Sequence, residues 1–137
     1  MTATLNLVST AIYSKLSGDS TLTAMLATTT SIYSIRAPED AVYPYITYSL
    51  FSGLVLNVNP SDLHEVVYFI RAYATTAKVA GNIHAQIATL LDDGAVSVTG
   101  FTQIASELTE ELEGDEITDA GRSIFMRGGL YRLQLDS

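Results

Sequence analysis

The sequence contains no cysteine and no tryptophan, two histidines, three prolines, and seven basic residues against fifteen acidic ones. Without cysteine there are no disulfides, thiolate metal sites or thiol nucleophiles. The formal net charge of -8 has the sign opposite to that of a protein that grips a phosphate backbone. No apolar run approaches the roughly 20 residues that a membrane-spanning helix needs, so no membrane partner is expected. The start, Met1-Thr-Ala-Thr-Leu5, lacks the basic residues that open a secretory signal. Internal repeats, linkers and low-complexity tracts are missing too. What is present is 137 residues, 47% hydrophobic and 16% charged. That suits one globular domain, residues 1–137, with a real core.

The stretch from His64 to Leu91 organises the rest. His64 to Ala74 alternates Val66, Tyr68, Ile70 and Ala72 with Val67, Phe69, Arg71 and Tyr73. Side chains alternate along a strand, and both sets are mostly apolar, which predicts a central strand covered on at least part of both faces. After Thr75-Thr76 the period changes. Val79, Ile83, Ile87 and Leu91 form one stripe of a helix, with His84 beside it. Thr75 or Thr76 can cap its start, and Gly94 stands where a left-handed terminating residue belongs.

Upstream, Leu5, Val8, Ile12 and Leu16 mark a helix over about Ala3 to Leu16, ended by Gly18. Asp19 or Ser20 caps a second helix, Thr21 to Ala27. Ser31 to Ile35 reads as a short strand. Tyr45 to Phe51 reads as another, started by Pro44. Gly53 to Asp62 connects it to the central strand as an extended hairpin tip. Its Leu54, Val55, Leu56 and Val58 are unusually apolar for a loop, and they are candidates for contact with another protein. Downstream, Ala95 to Thr99 is a short strand candidate. Gln103 to Leu112 fits a helix through Ile104, Leu108 and Leu112, and a strand through its alternate row. Its place between Gly100 and Gly114 favours the strand. Gly114 to Gly121 reads as an acidic turn. Arg122 to Leu135 reads as a last strand kinked at Gly128-Gly129.

The search for chemistry finds no assembled catalytic set. His64 is at a strand entrance and reads as a surface residue; His84 reads as a partly buried helix histidine. No Gly-x-Ser-x-Gly elbow or phosphate-cradling loop is present. Arg71, the one charge inside the central strand, is either an anion site or an arginine paired with a carboxylate or at an exposed strand end. The acids Glu107, Glu110, Glu111, Glu113, Asp115, Glu116 and Asp119 lie in one run. Their spacing does not match a calcium loop, so no metal is expected. The run reads as a solvated acidic face or hairpin tip, or as a surface that repels DNA. Tyr43, Tyr45 and Tyr48 fall together, as at many protein interfaces and in many half-buried sheets.

The order of elements resembles a known family. Ile12-Tyr-Ser-Lys-Leu16 leads into Asp19-Ser-Thr-Leu-Thr-Ala-Met-Leu26. The Ser31-Ile-Tyr33 strand, an Ala37-Pro38 loop and the Tyr43-Pro-Tyr-Ile46 strand start follow. The strand Val66 to Tyr73, the helix Ala77 to Leu91 and a C-terminal strand pair complete it. This layout is similar, from about Leu5 to Leu135, to the tail terminator proteins of long-tailed bacteriophages, also called tail completion or tail-to-head joining proteins. Their usual Asp-Gly-type turn between the last two strands is replaced here by the longer Gly114 to Gly121.

The resemblance implies an α+β domain with helices packed on a mixed, largely antiparallel sheet. It implies a structural virion protein that is not an enzyme and has no cofactor. Such proteins form a ring, typically six-fold, at the top of the tail. The ring stops tube polymerisation, binds the tail tube protein, and presents a surface to a head completion or connector protein. DNA passes through the ring without specific binding, and assembly takes place in the host cytoplasm. The acids Glu107 to Glu116 would then form a lumen or an outer surface. The Gly53 to Asp62 tip would meet another subunit or the tube, and an edge strand in Ser31 to Ile35 or Ala95 to Thr99 could receive it. Another neck or head completion protein fits the same pattern. A small enzyme or ligand-binding domain with a pocket near Arg71 and His84 is the alternative from a different class.

Overall fold

The computed structural model describes residues 5–58, 61–117 and 121–136, with residues 54–58, 61, 62, 116 and 117 described by backbone alone. The elements run α1 (Leu5–Ser17), α2 (Ser20–Thr23), β1 (Ile32–Ser34), β2 (Tyr45–Val58), β3 (Ser61–Ala74), α3 (Ala77–Leu91), β4 (Thr102–Ile117) and β5 (Ser123–Asp136). The strands form one sheet in the order β1-β2-β3-β5-β4. β1 pairs with β2 in parallel, and the other three ladders are antiparallel. The fold is α+β, with the helices packed on a mixed, largely antiparallel sheet.

Local chemistry accounts for most boundaries. α1 buries Val8, Ala11, Ile12 and Leu16, one stripe at helical spacing. Asp19 caps α2 by accepting from the Leu22 N–H at 2.9 Å. α2 is shorter than the expected Thr21 to Ala27. The Ala27 N–H is drawn away to the Pro44 carbonyl at 3.0 Å, which pulls the chain out of the helix towards β2. Thr76 caps α3 by accepting from the Val79 N–H at 3.2 Å, and Ala80, Ile83, His84, Ile87 and Leu91 are its buried stripe.

The exit from α3 departs from expectation. The left-handed residue is Asp93, with φ 59°, and not Gly94. Ala95 to Thr99 forms no strand, although Val96 and Val98 are buried. Their backbone is held instead by one side-chain amide. Gln103 accepts from the Val96 N–H at 2.6 Å and donates to the Gly94 carbonyl at 2.7 Å. An amide that offers both a donor and an acceptor stands in for a ladder partner.

Two expected turns are strand. Gly53 to Val58 continues β2, paired with β3 from Val66 to Ser61. Residues 59 and 60 lie outside the described residues. Likewise Gly114 to Ile117 continues β4, paired with β5 through Ile117↔Ser123. The rest of the expected acidic turn, residues 118–120, lies outside the described residues. Gln103 to Leu112 is strand, as its flanking glycines suggested. The irregularities of this hairpin fall on β4, at Gln103/Ala105 and Leu108/Glu110, and β5 keeps register through Gly128 and Gly129. Those glycines serve close approach and not a kink. A Cβ on Gly128 would lie 2.6 Å from the Ile70 carbonyl oxygen, and one on Gly129 would lie 3.0 Å from that of Glu110.

The helices cover one face only. His64, Val66, Tyr68, Ile70, Ala72 and Ala74 of β3 are buried beneath them. Val67, Phe69, Arg71 and Tyr73 lie on the other face and are half-buried. The strand is thus covered on part of both faces, as expected, but by helices on one face only. The second face shields itself, through aromatic rings laid on one another and on Arg71. That face and the two edges of the sheet are what the fold leaves for function.

Candidate functional site

The acidic residues lie on β4, an edge strand, and alternate between the two faces. Three of them are tied to bases of the same chain. Glu107 accepts from Arg132, which also lies 3.7 Å from Glu65. Glu111 pairs with His84 Nε2 at 2.8 Å, and Glu113 with Arg127 Nε at 3.2 Å. Glu110 and Asp115 are exposed and have no basic partner among the described residues. The Glu116 side chain and Asp119 lie outside the described residues. Along β4, paired and unneutralised carboxylates are thus interspersed on the surface. Charge on a long edge also discourages unwanted strand pairing.

Among the described residues, no three acids or histidines converge as metal ligands would. Titration with calcium, magnesium or manganese in a calorimeter is expected to give no stoichiometric heat. A sub-millimolar site lost on Glu113→Gln or Asp115→Asn would overturn that expectation.

Both histidines are core residues. His84 is buried against β5, with its imidazole tied to Glu111. The expectation that His64 lies on the surface is overturned. It is 1% exposed and sits edge-on to Phe101, with ring centroids 5.1 Å apart. Alternation places His64 on the row of Val66, Tyr68 and Ile70, and Phe101 of the loop after α3 packs on its ring. Burial raises the Tyr68 hydroxyl above its ordinary range, helped by Tyr48. Burial, then Glu111 and Asp92, raise that of Tyr131 still further. Both phenols stay neutral and are poor nucleophiles or bases.

The open face holds the most organised side-chain cluster. Tyr45 stacks on Tyr43 at 5.0 Å, lies tilted against Tyr73 at 5.2 Å, and meets the Tyr33 ring edge-on at 5.8 Å. The Arg71 guanidinium lies 4.6 Å from the Phe69 ring centre and 5.9 Å from that of Tyr73. It donates to the Ile35 carbonyl at 3.3 Å and has no carboxylate partner among the described residues. Beside this cluster is a recess of about 160 Å³ lined by Arg36, Tyr45, Thr47, Arg71 and Tyr73. Thr47 is 2% exposed, and its hydroxyl has no hydrogen-bond partner.

Of the residues singled out in the sequence, Arg71, Tyr43 and Tyr45 meet here. Tyr48 faces the helices instead and is buried. Arg36, Thr47, Tyr33 and Tyr73 were not singled out, because only strand pairing brings them together. Arg71 and His84 lie on opposite faces of the sheet, so no single pocket holds both. Leu54, Val55, Leu56 and Val58 lie in the distal half of β2; their side chains lie outside the described residues.

With the geometry in hand, comparisons with known proteins give consistent results. Residues 10–123 match the family model described as tail completion protein gp17. A chain from the virion of a native gene transfer agent particle superposes with a TM-score of 0.79. The two share 14% sequence identity, and the match covers 100% of each chain. A second solved protein, which carries no functional name, gives a TM-score of 0.52 at 12% identity, covering 98% of this chain and 96% of its own. At such identities these two structures establish a common fold. No curated protein matches the sequence significantly.

Proposed function

The chain belongs to the tail completion protein gp17 family, and we propose that it closes into a homo-oligomeric ring, most simply six-fold, that caps the phage tail tube. Membership makes it a structural protein of phage tail completion, a role that implies no catalytic step. The match over residues 10–123 is the observation that carries the reading. The likeness in fold to a chain of a gene transfer agent virion supports a place in a virion.

A closed ring needs two different, complementary surfaces on each subunit. The sheet supplies two unlike edges. One is short β1 with the outer part of β2, and the other is long, acidic β4. In this reading the whole chain, 1–137, acts as one domain at the head-tail junction. The tail tube protein lies below it and a head completion or connector protein above. The net charge of -8 makes the ring repel phosphates, so duplex DNA slides through without being held. Among the described residues no helix is long and apolar enough to cross a membrane.

The test is to remove the protein from the producing phage. Abnormally long or headless tails are the expected result. Tails of regulated length joined normally to heads would sink the proposal. Electron microscopy of purified protein added to tail tubes separates tube capping from the role of another neck or head completion protein, which would leave tube ends bare. The aliphatic residues Leu54, Val55, Leu56 and Val58 are proposed as a contact with another subunit or the tube. Leu54→Ser with Leu56→Ser is then expected to weaken capping while the melting temperature holds. Global unfolding of this variant would instead assign the residues to the subunit's own core.

A further inference from the structure

We propose that the recess formed by Arg36, Arg71 and Thr47 receives the Glu110 carboxylate of a second copy of the chain, and that this pair is the charged lock between neighbouring subunits. The inference rests on the ring reading and deepens it by naming the interface.

The first argument is charge. Fifteen acids surround only seven bases, so an arginine without an acid is unexpected. Arg127 and Arg132 both have carboxylates in the same chain. Arg71 has none among the described residues, and neither has Arg36, even though Glu39 and Asp40 follow it closely in the sequence. The two arginines line one recess. The Arg71 guanidinium is flanked by Phe69 and Tyr73, which hold it in a fixed orientation. A pre-set guanidinium is well suited to a carboxylate, because its planar fork loses little freedom on binding.

The second argument is the unmet polar chemistry in the same place. The Thr47 hydroxyl and the Arg71 Nε–H are both buried and have no hydrogen-bond partner. Buried polar groups are normally satisfied, and two unpartnered donors side by side mark where an acceptor is missing. A carboxylate brings two oxygens and about four acceptor sites, enough for both.

The third argument is position. Strand register places Thr47 opposite Arg71, Arg71 opposite Gly128 and Gly128 opposite Leu112. The adjoining row on the same face runs Ser49, Phe69, Leu130, Glu110. The recess and Glu110 are therefore on one face, one row apart, with the recess on the β1–β3 side of the sheet and Glu110 on the far edge strand, β4. Glu110 is exposed and lacks a basic partner among the described residues, unlike Glu107, Glu111 and Glu113. Subunits placed edge to edge with faces aligned bring Glu110 of one towards Arg36 and Arg71 of the next. That contact is heterologous and repeats around a ring.

The experiment is a charge swap in the full-length protein. Assembly is measured by sedimentation and by capping of purified tail tubes in the microscope. Arg71→Glu and Glu110→Arg are each expected to weaken assembly about tenfold or more, by placing like charges together, while the double swap recovers most of it. Arg36→Glu, at an exposed position, repeats the test without disturbing the aromatic cluster, and Glu110→Arg is expected to rescue it as well. Circular dichroism reports whether each variant folds. Single variants that assemble like the wild type would overturn the inference and leave the ring reading intact. So would singles that fail and are not rescued by the swap. Arginine-dependent binding of duplex DNA by the wild-type protein, with assembly unaffected, would also overturn it, in favour of phosphate as occupant. Bare tube ends with the wild type would overturn the ring reading itself.

Discussion

Gly94→Ala is expected to lower the melting temperature by about 10 °C, the consequence of roughly 3 kcal/mol lost in a domain of this size. A Cβ at position 94 would lie 1.8 Å from the Leu90 carbonyl oxygen and 2.7 Å from its carbon. Both are backbone atoms of the last turn of α3, so no side chain can rotate out of the way. Either the turn unwinds or the chain leaving the helix moves. Moving the chain breaks a connected set of bonds. The Asp93 N–H donates to the Ser106 carbonyl at 2.7 Å, the Ser106 hydroxyl to the Leu91 carbonyl at 2.6 Å, and the Gln103 amide to the Gly94 carbonyl at 2.7 Å. These bonds tie the end of α3 to the start of β4. The measurement is a thermal melt of Gly94→Ala beside Gly100→Ala. Gly100 has room for a Cβ and suffers only from its left-handed φ of 84°. A melting point for Gly94→Ala within a degree or two of wild type would refute this account.

Gly94 also shows how sequence and structure relate in this chain. The sequence picks out the right residue for the wrong reason. A glycine after a helix suggests a left-handed terminator, yet Asp93 takes that conformation, and Gly94 is needed for close packing. Local signals were otherwise legible. The Thr76 cap, the Asp19 cap, the α3 stripe and the strand character of Gln103 to Leu112 follow from side-chain chemistry within a few residues.

What could not be read depends on distant partners. Gly53 and Asn57 resemble breakers until the pairing with β3 is known. Val96 and Val98 alternate like a strand, yet no described strand pairs with them, and Gln103 satisfies the backbone instead. Val67, Phe69, Arg71 and Tyr73 resemble a buried row because they are apolar or aromatic. Their cover is each other and the tyrosines of β2, not a second layer of helices. The recess is hidden for the same reason. Arg36 and Arg71 are far apart in sequence, and only the parallel pairing of β1 with β2 and the antiparallel pairing of β2 with β3 bring them together. The anion-site reading of Arg71 was therefore open from sequence, while its partners were not.

Ile70→Ala is expected to cost about 4 kcal/mol, near the upper part of the range for deleting a buried isoleucine side chain to alanine. Ile70 is fully buried on the helix-covered face of the central strand. Its cross-strand neighbours are Tyr48 on β2 and Gly129 on β5. Gly129 has no side chain to move into a void, and the next residue on the same face of β3 is the small Ala72. Above them His84 is held by Glu111, 2.8 Å away, and cannot settle into the space. The cavity therefore stays open, and an open cavity adds its own cost to the lost transfer energy. Stabilities of whole domains are about 5–15 kcal/mol, so a loss of this size removes roughly a quarter or more of the total. Val67→Ala, on the open face of the same strand, removes two methyl groups from a half-buried site and is expected to cost about 1 kcal/mol. Denaturant melts of the two variants compare the two faces directly. Similar losses would mean that the second face of β3 is as deeply packed as the first, contrary to the one-sided layering of this sheet. A large gap between them leaves the open face available for a neighbouring subunit.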